Sequence, residues 1–423
     1  MIDQYELMER ICEPSNLNRA FRAVKRNKGA AGVDGKTIAE TLAYLQTGHQ
    51  AQTLRESLLQ GEYHPQAVRG VQIPKPDGGS RPLGIPTVID RWLQQAIAQV
   101  LAGIYEPQFS ESSFGFRPGR GAHDALRQAQ GFVESGKTWV VDLDLEKYFD
   151  TVNHDRLMAR LSRDIKDKRV LKLIRRYRQA GMLQNGVIMG RQQGTPQGGP
   201  LSPLLANIVL DELDKELERR GHRFCRYADD GQIYVGSQKA GERVLASVTD
   251  FLERKLKLTV NRRKSACAAV NERQFLGYRL HPDGSLGIAR KSRLRMRKRV
   301  RALTYRNRGR SLAVVMKGLT MYLRGWLQYF RLARARSLLR DLDAWIRRRL
   351  RGYRLKQRKR RWPIAQWLQQ LGVKEHLAWQ LAMSSKGGWR LSRNPVIHQA
   401  LPNQWFEKQG VFSLLKSYDQ WSV

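Results

Sequence analysis

Arg226-Tyr227-Ala228-Asp229-Asp230-Gly231 sets two adjacent carboxylates at the tip of what reads as a β-hairpin, with Phe224, Tyr227, Ile233, Tyr234 and Val235 supplying the strands on either side. Two aspartates on a tight turn repel each other unless a cation sits between them. Asp-Asp-Gly is also an ordinary hairpin turn signal, so the stretch reads either as a plain turn or as half of a metal site. A second acidic strand lies upstream at Val140-Val141-Asp142-Leu143-Asp144-Leu145. Strand alternation over 139–145 puts Asp142 and Asp144 on one face and Val141, Leu143 and Leu145 on the other, against a core. Periodicity does not choose between Asp142 and Asp144. Carboxylates from two strands that converge are what a two-Mg²⁺ phosphoryl-transfer site needs.

The rest of the chain bears on that choice. Its 423 residues suffice for two or three domains, and a hydrophobic share of 41% supports a real core. The formal net charge of +38 is too large for an incidental solvated surface and implies a polyanionic partner, nucleic acid first. An anionic membrane fits poorly, because no apolar run is long enough to span a bilayer and no lipidation motif is present. The start of the chain has neither the basic residues nor the apolar stretch of a signal peptide, which points to the cytoplasm. Cys12, Cys225 and Cys267 are scattered, and the histidines lack metal-site spacing, so any metal is expected to be held by oxygen.

Along the chain, residues 1–62 read as helical and basic, broken by a Gly-rich loop at 27–35. Two strands with a turn at Pro76-Asp77-Gly78-Gly79 are expected over 71–86. An amphipathic helix follows at 89–104, then the strand 139–145 and helices to about 180. The Gly-rich loop 194–200 opens a helix over 201–213. After the acidic hairpin (223–236) come a helix at 240–257 and a last strand at 273–280. Composition shifts near 288. About half of residues 290–310 are Arg or Lys, and 347–361 is denser still. Between these runs Leu319, Tyr322, Leu323, Trp326, Leu327 and Phe330 recur at helical spacing, the mark of a core-facing stripe.

The order of motifs resembles that of the group II intron-encoded reverse transcriptase/maturase family. The segments that carry the resemblance are Ile73-Pro74-Lys75-Pro76 with Arg81-Pro82-Leu83-Gly84-Ile85-Pro86, then Phe114-Gly115-Phe116-Arg117-Pro118-Gly119-Arg120, and Asp142-Leu143-Asp144-Leu145-Glu146-Lys147-Tyr148-Phe149-Asp150. Gly194-Thr195-Pro196-Gln197-Gly198-Gly199 with Ser202-Pro203-Leu204-Leu205-Ala206-Asn207, Tyr227-Ala228-Asp229-Asp230 and Phe275-Leu276-Gly277-Tyr278 complete the set. Gly325-Trp326, the basic run after Trp345 and Gly388-Trp389-Arg390-Leu391-Ser392 resemble its maturase and DNA-binding regions.

The resemblance implies an α+β right-hand polymerase with an antiparallel palm sheet, a helical basic thumb and a small C-terminal DNA-binding region. The implied domains are an N-terminal extension (1–62), fingers and palm (63–287), a thumb or maturase domain (288–370) and a DNA-binding domain (371–423). It implies an RNA-directed DNA polymerase that also binds its intron RNA for splicing and retrohoming. In this family the first catalytic carboxylate stands five residues before an aromatic that meets the sugar. Asp144 and Phe149 satisfy this, which makes Asp142 the weaker candidate. Asp144, Asp229 and Asp230 would be the catalytic triad. Asp144, Asp229 and the Leu145 carbonyl would hold two Mg²⁺ ions, with Mn²⁺ as a substitute. One ion would acidify the primer 3′-hydroxyl and the other would neutralise the triphosphate. Lys75, Arg81, Gln197, Phe149 and Lys264 would meet the dNTP, with Gly198 and Gly199 leaving room beside Gln197 and the bulk of Phe149 blocking a ribose 2′-hydroxyl. Phe275, Leu276 and Gly277 would support the primer end, and the loop at 29–35 resembles an extension that closes over the template.

The family's paired Cys and His endonuclease motif has no counterpart after Trp389, which resembles the shorter bacterial branch associated with group IIC introns. The expected partners are an RNA template, intron RNA, a DNA primer or target, and dNTPs; monomer and dimer stay open. Two other readings stay open as well: a stand-alone reverse transcriptase in DNA repair or defence, and an RNA-binding splicing factor with dispensable polymerase activity.

Overall fold

The computed structural model describes residues 5–74, 78–146, 148, 152–184, 187–189, 198–358 and 360–421. Two compact units divide at Ala269/Val270.

In the first unit, short helices at Leu7–Ile11, Pro14–Asn27, Ile38–Gln46 and Gln50–Leu59 precede the helix Val88–Tyr105. That helix begins where Thr87 caps it through the Asp90 backbone N–H. It buries Leu93, Ala96, Ile97 and Leu101 in the unit's main core, and the Trp92 indole N–H donates to the Leu17 carbonyl at 2.7 Å. The expected pair of strands forms as β1 (Val68–Pro74) and β2 (Ser80–Ile85), antiparallel.

The central sheet is assembled from strands distant in sequence. β3 (Trp139–Asp144) comes first. A hairpin that the sequence reading missed, β4 (Met182–Gln184) and β5 (Val187–Met189), joins the β1–β2 sheet through a parallel β1–β4 pair. β6 (Arg223–Tyr227) and β7 (Asp230–Val235) form the acidic hairpin. β8 (Ala266–Ala269) completes the central sheet in the order β6-β7-β3-β8, antiparallel throughout. As alternation requires, Val141, Leu143 and Leu145 are 0%, 4% and 8% exposed. Beside them lies the helix Ser202–Arg219, longer than expected, with the Tyr148 hydroxyl donating to the Ala206 carbonyl at 2.8 Å.

Near the start of the second unit, after a short helical turn at Val270–Glu272, a reversal stands where a strand was expected. Only β9 (Tyr278–Leu280) of the stretch 273–280 is extended, paired with β10 (Leu286–Ile288). Leu276 and Gly277 both take positive φ, +50° and +82°, and Phe275 and Tyr278 exchange backbone hydrogen bonds across them. Positive φ at both central residues is what a type I′ reversal requires, so the chain turns back here and cannot run on as a strand. Helices Arg290–Leu303, Leu312–Phe330 and Arg336–Gln357 follow, then shorter ones to Trp421. The aromatic stripe is core: Leu319, Leu323, Trp326, Leu327 and Phe330 are buried. No helix among the described residues is long and apolar enough to cross a membrane.

Candidate active site

The register of the central sheet sets the acidic residues together. Asp144, the last residue of β3, lies directly opposite Asp230, the first of β7, and Asp142 lies opposite Gln232. Asp229 occupies the turn between the paired residues Tyr227 and Asp230. The turn is not the Asp-Gly reversal that the bare sequence offers, since Gly231 is already in β7, facing Leu143 on one side and Arg226 on the other. Its central residues are Ala228 and Asp229, with Ala228 at φ +60°. A positive φ at the first central position is the type II′ pattern that normally takes glycine. Alanine there is strained by roughly 1–2 kcal/mol.

A buried cation holds this turn in place. Arg226 is 3% exposed and Asp214 is fully buried. The Arg226 Nε donates to both Asp214 carboxylate oxygens, at 2.8 and 3.0 Å. Its Nη1 donates to the Asn207 side-chain oxygen at 3.0 Å and the Ala228 carbonyl at 2.9 Å, and its Nη2 to the Ser113 hydroxyl at 2.8 Å. One guanidinium thus ties the Ser202–Arg219 helix, the 113 segment and the acidic turn together, using the fixed fork that only arginine offers. The sequence reading passed over Arg226, Asn207 and Asp214. A lone arginine in a chain this basic carries no local signal of burial.

Burial and mutual repulsion act together on the charge at the corner. Burial, then the neighbouring carboxylates of Asp142, Asp229 and Asp144, pushes the Asp230 carboxyl up to about 7. Lys264 brings a cation to 3.6 Å from Asp144 Oδ2. The backbone of Asp144 is pinned on its β8 side, where its N–H donates to the Ser265 hydroxyl at 2.9 Å and its carbonyl accepts from Asn261 N–H at 2.8 Å. Leu145 faces Val260 in an isolated bridge whose hydrogen bonds run through the flanking residues, Glu146 to Thr259 and Asn261 to Asp144. In that kind of antiparallel pair a residue's own carbonyl points away from its partner. The Leu145 carbonyl therefore points to the β7 side, where the Asp229 turn stands.

Three carboxylates and a carbonyl are the hard oxygen donors that Mg²⁺ takes. The raised Asp230 carboxyl marks a surplus of negative charge that a divalent cation would relieve. Among the described residues no three acidic, His or Cys side chains are drawn tightly enough to close on an ion. Asp142 accepts a long hydrogen bond, 3.4 Å, from the Gln232 amide, whose oxygen in turn accepts from the Tyr234 hydroxyl.

The other expected residues are placed unevenly. Lys75, Phe149 and Gln197 lie outside the described residues. Arg81 stands in β2 opposite Ile73. Gly198 and Gly199 follow Gln197, but the space their missing side chains leave is filled by protein. A Cβ on Gly198 would come to 2.4 Å from the Gly84 carbonyl, and one on Gly199 to 2.1 Å from the Gln94 side chain. Gly198 and Gly199 therefore allow their own backbone to pack closely on β2 and on the Val88–Tyr105 helix. Phe275, Leu276 and Gly277 form the I′ turn of the second unit.

Comparison with known proteins identifies the family. The family model described as "Reverse transcriptase (RNA-dependent DNA polymerase)" matches residues 73–280, and "Group II intron, maturase-specific domain" matches 293–372. Protein YkfC of Escherichia coli (strain K12) is 36% identical over 315 residues, covering 65% of this chain and 82% of its own. Group II intron-encoded protein LtrA of Lactococcus lactis subsp. cremoris is 39% identical over 208 residues, 49% of this chain and 34% of its own, so the match spans about a third of that relative.

Proposed function

We propose, for a chain that belongs to the group II intron-encoded reverse transcriptase/maturase family and is an RNA-directed DNA polymerase, that Asp144, Asp229 and Asp230 form its nucleotidyl-transfer centre. The observation that carries this reading is the cross-strand register of Asp144 with Asp230, with Asp229 on a strained turn one residue away. In this reading Asp144, Asp229 and the Leu145 carbonyl hold two Mg²⁺ ions, and Asp230 completes the triad. When bound, the metals acidify the primer 3′-hydroxyl and neutralise charge on the triphosphate and departing pyrophosphate.

The protein's own part is to hold this geometry. Arg226 fixes the turn, Ser265 and Asn261 fix the backbone of Asp144, and Lys264 offers a cation on the Asp144 side for the triphosphate. Lys75, Arg81 and Gln197 are proposed as further dNTP contacts, Phe149 as the barrier to a 2′-hydroxyl, and the 275–277 turn as the primer support. The helical region 288–370 is proposed to bind intron RNA for splicing through its basic faces, and 371–423 to meet DNA. The match of residues 293–372 to the maturase-specific model and the outward basic face of the Arg290–Leu303 helix support the RNA-binding part of this.

Primer extension on an RNA template with Mg²⁺ tests the reading. Full-length cDNA from dNTPs, and little product from rNTPs, is expected. Absence of dNTP-dependent extension under all metal conditions contradicts it.

A further inference from the structure

Two phenyl rings in Phe114-Gly115-Phe116-Arg117-Pro118 have opposite surroundings. Phe114 is 5% exposed and Phe116 is 58% exposed. Phe116 also sits at φ +60°, the region that L-residues avoid. An apolar ring held in water on a strained backbone is doubly unfavourable, and such conformations persist only where the surroundings over-determine them.

They do so here. The Gly115 carbonyl accepts from the Asn207 amide at 2.8 Å. The Arg117 side chain, 7% exposed, donates from Nε to Glu106 and from Nη1 to the Ser113 carbonyl, each at 2.8 Å. Phe116 is thus displayed between two anchored neighbours.

Its place is specific too. A Cβ on Gly115 would lie 2.3 Å from the Ala228 backbone N and 2.9 Å from the Tyr227 carbonyl carbon, so the residue before Phe116 rests on the Tyr227-Ala228-Asp229 turn itself. Ser113 bridges to Arg226 in parallel, which sets this segment beyond β6. The sheet order puts β3 and β8, with Asp144 and Lys264 at their end, on the opposite flank of the turn. A triphosphate drawn to that cation would lie on the far flank of the turn from Phe116.

We propose that Phe116 is a duplex-binding residue. Its ring packs on the base or sugar of the primer–template nucleotide pair next to the insertion site and holds the primer end in line with the acidic corner. This rests on the polymerase reading above. Aromatic contacts of this kind are tolerant of sequence, because every base presents a π face, and truncating one to alanine costs about fivefold or more in affinity.

The test compares Phe116→Ala, Phe116→Gly and Phe116→Tyr in the full chain, measuring primer–template KM, dNTP KM, single-encounter product length and Tm. Phe116→Ala and Phe116→Gly are expected to raise the primer–template KM about fivefold or more and shorten products, with dNTP KM moved less than twofold. Phe116→Tyr should restore both. Phe116→Gly removes the backbone strain, so its Tm should equal or exceed that of the parent, which separates a lost contact from a damaged fold. Wild-type primer–template KM and product length in Phe116→Gly overturn the proposal while leaving the polymerase reading intact. A loss of activity that follows a fall in Tm across the series also overturns it. If the parent protein itself makes no cDNA, the polymerase reading has failed instead.

Discussion

Arg226 and the Arg290–Leu303 helix show two uses of positive charge in one chain. Arg226 is nearly inaccessible, has a fully buried counter-ion in Asp214, and spends its donors on Asn207, Ala228 and Ser113. The helix Arg290–Leu303 buries Ser292, Met296 and Val300 and turns its arginines and lysines outward. One charge shapes a turn and meets no ligand; the others leave a surface for phosphate. A desolvated, fully bonded cation is costly to lose. Exposed cations act additively, and each matters only through counterions released. In the proposed reading, net charge marks where nucleic acid would be held, while the chemistry would depend on a few residues that add almost nothing to it.

Substitutions along this divide should separate the two roles. The largest effect is expected within the acidic corner: Asp144→Asn should lower RNA-templated extension by about 10³-fold or more, whereas Asp142→Asn should keep most of it. Equal losses at both positions would mean that the strand supplies both carboxylates to the metals. Arg226→Ala should come next, destabilising the first unit by about 3–5 kcal/mol through the stranded Asp214 carboxylate, seen as a fall in Tm and in soluble yield.

Asp230→Asn has a smaller and pH-dependent effect. With its carboxyl pushed up to about 7 in the folded protein, Asp230 binds a proton there that the unfolded chain releases near its ordinary value. Stability of the metal-free protein should then fall as pH rises from about 4 to 7. In EDTA at pH 8 the asparagine variant should be the more stable by about 1–2 kcal/mol, allowing for partial solvent screening. The advantage should vanish near pH 4 and shrink when Mg²⁺ is added. The smallest effect is expected from an exposed cation: Lys298→Ala should leave Tm and catalysis alone and make the log K against log salt slope for RNA shallower by about 0.7–0.9. An unchanged slope would remove Lys298 from the RNA surface.

How far these features could be read in the sequence depends on the local chemistry. β3 is legible because branched and acidic residues alternate along it, and the acidic hairpin because aromatic and branched residues flank it. β8, which completes the central sheet, is Ala266-Cys267-Ala268-Ala269, without one branched or aromatic residue to mark it as a strand. The acidic turn reads as Asp-Gly from local sequence, yet it falls two residues earlier, on an alanine at positive φ whose carbonyl accepts from Arg226 and whose backbone abuts Gly115. Arg226 is only two residues away, but Gly115 and the groups that orient Arg226 (Ser113, Asn207 and Asp214) lie farther off in the chain, so no local pattern encodes that strain. The strand expected at 273–280 is cut by the Leu276-Gly277 reversal, where a leucine at positive φ hides the turn. Phe116 has no local mark of exposure, and the anchored neighbours that display it are set by tertiary contacts.

The most direct test of the acidic corner is the double variant Asp229→Ala with Asp230→Ala, assayed in parallel for Mg²⁺-dependent cDNA synthesis and for RNA binding. The account predicts that synthesis is abolished while RNA affinity stays within a few-fold of the parent, because the carboxylates serve chemistry and the exposed cations serve binding. Full polymerase activity in that variant would contradict it.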